Sequence, residues 1–199
     1  MKKIGITGGI GSGKSAVCMI LKSLGIHIYD ADSRAKWLSE HDAHLIEEIK
    51  KHFGIQSFTD DGKLNRTYIA SIVFQDERQR QILNNLVHPA VAKDFESWFE
   101  NLPKTTPYAL KEAALMIEAG SYKGLDALIL VTAPKNLRIE RVKKRDPQRS
   151  ESEIINIIDK QMPDEEKKRF ADFVIENDGK NSLIKKVLEV HAQLKRFSE

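Results

Sequence analysis

Two hydrophobic rhythms alternate along the chain. Residues 2–8, KKIGITG, are a short β-branched run closed by glycine and predict a buried strand. Residues 14–25, KSAVCMILKSLG, carry apolar side chains at helical spacing, with Gly25 as the stop. Residues 26–32, IHIYDAD, return to a short strand. Strand, helix, strand is the order of a βαβ unit and implies a parallel sheet. From Ser33 to Leu102 the period is helical, in LIEEIKKHFG, RTYIASIVF and RQRQILNNLVHPAVAKDFESWFENL, with TDDGKLN as a turn. That stretch predicts a helical insert between sheet strands. PYALKEAALMI and LDALILVTA then read as strands joined by the loop EAGSYKG. Pro134 suits the first turn of a helix, and a basic helix follows it. SESEIINIIDKQMPDEEKKRF continues in helical period, ADFVIEN is a last strand, and residues 181–197 form a closing helix. There are no internal repeats or low-complexity tracts.

Composition narrows the class. The 199 residues, 41% hydrophobic and 31% charged, suit one globular domain or a core with inserted subdomains. No apolar run approaches the roughly 18 residues of a membrane span, so no membrane partner is expected. Glycines interrupt the apolar run of MKKIGITGG, so no signal peptide is expected either. A single cysteine, Cys18, excludes an internal disulfide and points to a reducing, cytoplasmic compartment. A net charge of +3 is too small to suggest a nucleic-acid partner. Residues 135–149, KNLRIERVKKRDPQR, are more telling, with seven basic and two acidic side chains. They form either a solvated helix face or an anion site.

Candidate chemistry enters with residues 6–17, ITGGIGSGKSAV. Gly8, Gly13, Lys14 and Ser15 satisfy G-x-x-x-x-G-K-[ST], between a predicted strand and a predicted helix. Gly8, Gly9, Gly11 and Gly13, with Ser12, would let backbone N–H groups surround phosphate oxygens without a Cβ in the way. The following helix, opened by Lys14, Ser15 and Ala16, adds partial positive charge. Lys14 would reach the β- and γ-phosphates of a nucleoside triphosphate, and the Ser15 hydroxyl would be the Mg²⁺ ligand. The glycine spacing partly overlaps a dinucleotide fingerprint, but the Gly-Lys-Ser ending belongs to the phosphate loop. A GTPase would need D-x-x-G and N-K-x-D, and neither occurs. A large motor ATPase would need more chain. A small-molecule kinase, requiring only the loop, an acceptor pocket and a lid, fits the length.

The ordered set GITGGIGSGKS, YDAD, VHPAV, LMIEAGSY, RDPQR followed by Gln, and ADFVIENDG resembles the dephospho-CoA kinase family, from about Ile4 to Gly179. The resemblance implies transfer of the γ-phosphoryl group of ATP to the 3′-hydroxyl of dephospho-CoA, the last step of coenzyme A biosynthesis. It implies a three-layer α/β P-loop kinase fold with a parallel sheet core in 1–32, 103–137 and 169–199. A helical acceptor-binding insert would occupy 33–102 and a helical lid 138–168. A rival small-molecule kinase, acting on a nucleotide or sugar, would share that architecture. A non-catalytic nucleotide sensor or nucleic-acid binder would use the basic helix instead. Either a monomer or a small homo-oligomer is compatible with the sequence.

The remaining motifs read two ways. Asp30 and Asp32, at i and i+2, would share one face of an extended strand. They would serve as base or Mg²⁺-orienting group, or as a turn pair at a helix start; the resemblance makes Asp32 the base near the acceptor hydroxyl. His88 before Pro89 marks a helix irregularity, and by resemblance an acceptor contact. Arg66 is a solvated arginine or, by resemblance, another acceptor-binding position. Glu118, placed at the end of the strand ALKEAALMI, would meet acceptor or metal-bound water. Glu112, inside that strand, is a buried charge that asks for a partner. Arg138, Arg141 and Arg145 fall at i, i+3 and i+7 on one helix face. With Arg149 they would suit a lid over ATP, and Arg141 and Arg145 are its expected catalytic pair. Asn177 is a turn residue, or by resemblance lies against adenine. Three positions depart from the family pattern: Ala114 stands where a proline is usual, Ile157 where arginine is frequent, and Ala16 where threonine is frequent. Cys18 is expected to be an inert core thiol, and His41 and His44 lack a ligand set, so no structural metal is expected.

Overall fold

The computed structural model describes residues 1–198. Five parallel strands stand in the order β2-β3-β1-β4-β5. They are β1 (Lys2–Thr7), β2 (His27–Asp30), β3 (Tyr108–Glu112), β4 (Ala127–Thr132) and β5 (Phe173–Glu176). Central strands of a parallel sheet are covered on both faces, so their sequences run apolar without alternation. Every residue of β4 is accordingly buried, as are the last four of β1. Helix α1 (Lys14–Ser23) joins β1 to β2, while α6 (Lys135–Arg145), α7 (Glu151–Lys160) and the single turn α8 (Asp164–Lys167) lie between β4 and β5. The first crossover runs one way along the sheet and the last runs the other. Right-handed connections therefore put them on opposite faces, which makes three layers.

On the α1 face, Val17, Cys18 and Leu21 pack with Ile4, Ile6, Leu110 and Ile129 of the sheet. Val187, Val190 and Leu194 of α9 (Leu183–Ser198) complete that cluster. Truncating one such side chain to alanine costs about 2–5 kcal/mol. A second, smaller cluster of Val142, Ile154 and Ile158 holds α6 against α7, with Ile10 and Ile139 packed on it. Helix α7 starts where a capping box predicts it should: Ser150 Oγ accepts from the Glu153 amide at 3.2 Å and the Glu153 carboxylate accepts from the Ser150 amide at 2.8 Å.

The chain divides into two compact units, one formed by 1–30 with 102–199 and the other by 31–101. The second unit contains α2 (Ala31–His41), α3 (Ala43–Phe53), α4 (Arg66–Val73) and α5 (Glu77–Glu100). Side chains of Asp42, Asn65 and Asp76 accept from amides in the first turns of α3, α4 and α5. Leu38, Leu45, Ile49, Phe53, Ile69, Val91 and Phe95 are among its buried apolar residues. Helix α5 runs through Pro89 without ending, although proline removes one ladder bond and crowds the carbonyl of Asn85.

Two expectations are corrected. The strand β3 stops at Glu112 and not at Ile117; residues 114–124 are turns, so Glu118 lies six positions past the strand end. The five apolar residues Ala113 to Ile117 read as a continuation of the strand, but the peptide turns away at Ala114. Asp30 and Asp32 do not share one face of an extended strand. Asp30 ends β2, and Asp32 sits in the first turn of α2, where an acidic side chain is favoured by the helix dipole.

Candidate functional site

The phosphate-loop motif links the end of β1 to α1. Its carbonyls from Gly9 to Gly13 are all engaged. Gly9 O accepts from the Ser12 amide at 3.0 Å, and Gly13 O from the amides of Ala16 and Val17 at 3.0 and 3.2 Å. Ile10 O accepts from Arg138 Nε at 2.9 Å. The Arg141 guanidinium reaches Gly11 O and Ser12 O, both at 3.4 Å, and Asn177 Nδ2 donates to Ser12 O at 2.9 Å. In a planar trans peptide the C=O and the next N–H point opposite ways. Holding the carbonyls of Ile10 and Ser12 towards α6 and Asn177 therefore turns the amides of Gly11 and Gly13 to the other side of the loop. Gly13 is also the N-cap of α1 and supplies no side-chain cap, which leaves the first helical amides available to an anion.

Gly13 and Gly9 are among the glycines fixed by their surroundings. Gly13 has φ +94, a left-handed conformation, and a Cβ there would collide with Asn177 Nδ2. A Cβ on Gly9 would collide with the Arg138 guanidinium, which lies against that backbone.

Lys14 and Ser15 open α1 beneath the loop. Lys14 Nζ sits 2.8 Å from Glu112 Oε1, both side chains mostly buried, and the Ser15 hydroxyl is 3.5 Å from the same oxygen. The buried charge of β3 thus finds its partner in the lysine of the motif. The sequence marks Glu112 as a buried charge in want of a partner but assigns it no role. The signal was a carboxylate in an otherwise apolar strand. Asp30 is its register partner at the end of β2, so two carboxylates stand side by side at the strand ends. Below them, burial pushes the Cys18 thiol up, and the adjacent Glu112 charge and hydrogen bond push it further. This keeps Cys18 a neutral thiol, as expected for an inert core position.

The arginines separate. Arg138 is buried, and desolvation lowers the pKa of its guanidinium while Asp164 partly offsets the loss. Arg141 bridges the loop to Asn177, donating to its backbone oxygen at 3.2 Å and its side-chain oxygen at 3.0 Å. Arg145 turns to Asp146, forking onto both carboxylate oxygens at 3.1 and 2.9 Å, and remains largely exposed. One helix face therefore brings Arg138 and Arg141 to the loop and leaves Arg145 on an acid of its own turn. Glu118 lies 2.8 Å from the fully buried Lys167 and accepts from the Met162 amide at 3.3 Å. It ties the connection after β3 to the α7–α8 segment.

In the helical unit, Arg66 opens α4 and pairs with Glu40 at 3.1 Å, more than half exposed. His88 lies in α5, one residue before Pro89. Asp32 lies in α2.

The residues fit a magnesium nucleotide. The Ser12 hydroxyl is buried with no protein partner, the Ser15 hydroxyl lies in the first turn of α1 beside Glu112, and two carboxylates stand at the strand ends. Among the described residues no group of three or more His, Cys, Asp or Glu could hold a metal ion. Mg²⁺ commonly binds through one or two protein ligands together with substrate phosphates and water, so such a group is not required.

A family model described as dephospho-CoA kinase matches residues 2–182. A dephospho-CoA kinase of Aquifex aeolicus is 39% identical over 197 residues, covering 98% of this chain and 99% of its own. A solved structure of the Thermus thermophilus protein TT1252 superposes with TM-score 0.85 at 33% identity, covering 96% of each chain. Dephospho-CoA kinase from Campylobacter jejuni superposes with TM-score 0.72 at 27% identity, over 99% of this chain and 98% of its own.

Proposed function

The chain belongs to the dephospho-CoA kinase family, and from that premise we propose how its residues transfer the γ-phosphoryl group of ATP to the 3′-hydroxyl of dephospho-CoA. The single observation that carries the reading is the set of loop carbonyls held away by Arg138, Arg141 and Asn177, with Lys14 at the mouth of α1. That arrangement presents amides and an ammonium to a polyphosphate, and little covalent chemistry is asked of the protein.

Gly8, Gly9, Gly11, Ser12 and Gly13 bind the phosphates through backbone groups, with the Ser15 amide continuing the cradle into α1 and Ala16, whose amide is held by the Gly13 carbonyl, closing the turn behind it. Lys14 leaves Glu112 for the β- and γ-phosphate oxygens. Ser15 would hold Mg²⁺, with the carboxylates of Glu112 and Asp30 nearby at the strand ends; the ion would supply positive charge to the phosphates. Arg141 stabilises the transferring group, and Arg145 exchanges Asp146 for phosphate when the part of the 138–168 lid between Arg138 and Gln161 closes and excludes water. Asn177 places its loop against adenine. In the helical unit, Asp32 takes the proton of the 3′-hydroxyl while Arg66 and His88 bind the acceptor. Glu118 acts through Lys167, holding the lid base. As the bond from the 3′-oxygen to phosphorus forms, the bond to the β-phosphate bridge oxygen breaks and ADP departs. The enzyme works in the cytoplasm, with no nucleic-acid or membrane partner.

The test is one incubation of the chain with ATP, Mg²⁺ and dephospho-CoA, with the product identified by mass. Coenzyme A is the expected product. Phosphorylation of a nucleoside monophosphate or sugar in its place would overturn the acceptor assignment.

A further inference from the structure

Ile10 is the one residue of the phosphate loop whose N–H and C=O are both held by side chains from the segment between β4 and β5. Its amide donates to Gln161 Oε1 at 3.0 Å, and its carbonyl accepts from Arg138 Nε at 2.9 Å. The two side chains also bond each other, Arg138 to the same Gln161 oxygen at 3.1 Å. The ring is closed, so neither side chain can move without releasing a backbone group of the loop. Hydrophobic packing reinforces it, since the Ile10 side chain lies on the cluster of Val142, Ile154 and Ile158.

The charge of Arg138 is only partly met. Its nearest carboxylate, Asp164, is 3.6 Å away, and the other Asp164 oxygen is buried without a hydrogen bond. A buried guanidinium bonded to neutral oxygens retains net field at the loop it touches. An anion held by the loop gains from that field.

We propose that Gln161 and Arg138 are positioning residues: by clamping both backbone polar groups of Ile10 they hold the phosphate loop open for nucleotide before it arrives, and they register the α7–α8 segment on that loop. Neither needs to touch the reacting atoms. In its nucleotide part the proposal rests on the ATP-binding reading above; in its backbone part it stands on the clamp alone.

The experiment uses the full chain without nucleotide. Amide hydrogen exchange at Ile10, followed by NMR, is slow in the parent and accelerates roughly tenfold or more in Gln161→Met, which keeps side-chain length but removes the acceptor. Calorimetry then shows ATP binding weakened about tenfold in Gln161→Met and Arg138→Met, with dephospho-CoA affinity retained. Gln161→Glu, whose oxygen accepts both bonds, restores protection of the Ile10 amide. The double variant weakens ATP binding by less than the product of the single effects, because both break one ring. Unchanged Ile10 exchange in Gln161→Met overturns the clamp, and so does equal loss of affinity for both substrates. Where the methionine variant does not fold, Gln161→Asn, one methylene too short, gives the same exchange readout. Lack of coenzyme A formation by the parent would sink the proposed function while leaving the exchange result to decide the clamp.

Discussion

The nucleotide-binding unit and the helical unit place their functional residues by different means. In the first, the working groups are mostly backbone, and each is pinned: the carbonyls of Gly9 to Gly13 all have partners, and Arg138 and Asn177 are buried behind them. In the second, the expected contacts are side chains on helices. Arg66 is exposed and paired to Glu40, and Arg34 reaches Asp94 at 2.6 Å in a partly buried fork. A backbone cradle needs a fixed pattern of glycines, because only certain positions tolerate close approach and positive φ. A side-chain site needs only that helices bring the right groups together, which many sequences can do. The first unit therefore constrains its sequence position by position, and the second only through the packing of its helices.

The sharpest break of this comparison is Lys14→Ala. It should lower turnover by about 10²–10³ or more while thermal unfolding stays cooperative, since Lys14 acts on phosphate charge and the fold keeps its core. Turnover near that of the parent would remove the loop from catalysis. Asp32→Asn tests the other unit: kcat should fall by about 10²–10⁴ with ATP affinity, measured by calorimetry, within about twofold. A parallel loss of ATP affinity would show that Asp32 serves the nucleotide and not the acceptor.

Gly13→Ala follows in size. The left-handed backbone and the Asn177 amide both oppose a Cβ, so strain of about 1–3 kcal/mol is expected as a lowered melting temperature, together with weaker ATP binding. An equivalent substitution at Gly62, also at positive φ but with open space around it, should cost stability and leave ATP affinity unchanged. If both variants behave alike, backbone conformation and not the loop clamp sets the cost.

The smallest effect concerns pH. His191 on α9 meets the Tyr108 hydroxyl at 2.7 Å, and burial, helped by Lys195, lowers its pKa from the ordinary 6.5. Burial raises the Tyr108 phenol, so the tyrosine donates and the neutral imidazole accepts. The folded protein then binds fewer protons than the unfolded chain below about pH 6.5. Stability contributed here is complete above that pH and is lost as pH falls through the folded value. Melting temperature followed from pH 7.5 to 5 should drop less steeply in His191→Gln than in the parent. Identical slopes would show that this histidine does not titrate on unfolding.

Much of the core was legible early. KKIGITG and LDALILVTA became β1 and β4, and Gly25, with φ +85, stops the first helix as expected. The limits of β3 were not legible, because Ala113 to Ile117 are apolar whether they continue a strand or turn over the sheet. Nor was the geometry of YDAD, because alternation and a helical first turn make the same demand on Asp32. Arg138, Arg141 and Arg145 lie on one face in the sequence pattern and on different partners in space.

What the sequence determined by itself was the phosphate loop between strand and helix, the parallel sheet and the helical insert, since each depends on local backbone preference and hydrophobic period. Only the tertiary structure decided that Glu112 faces Lys14, that Arg138 and Gln161 close on Ile10, and that Glu118 meets Lys167. Those pairs join residues about 50 to 150 positions apart. No local rule reaches across that distance; the sheet order and the packing of α6 to α8 bring the partners within a hydrogen bond of each other.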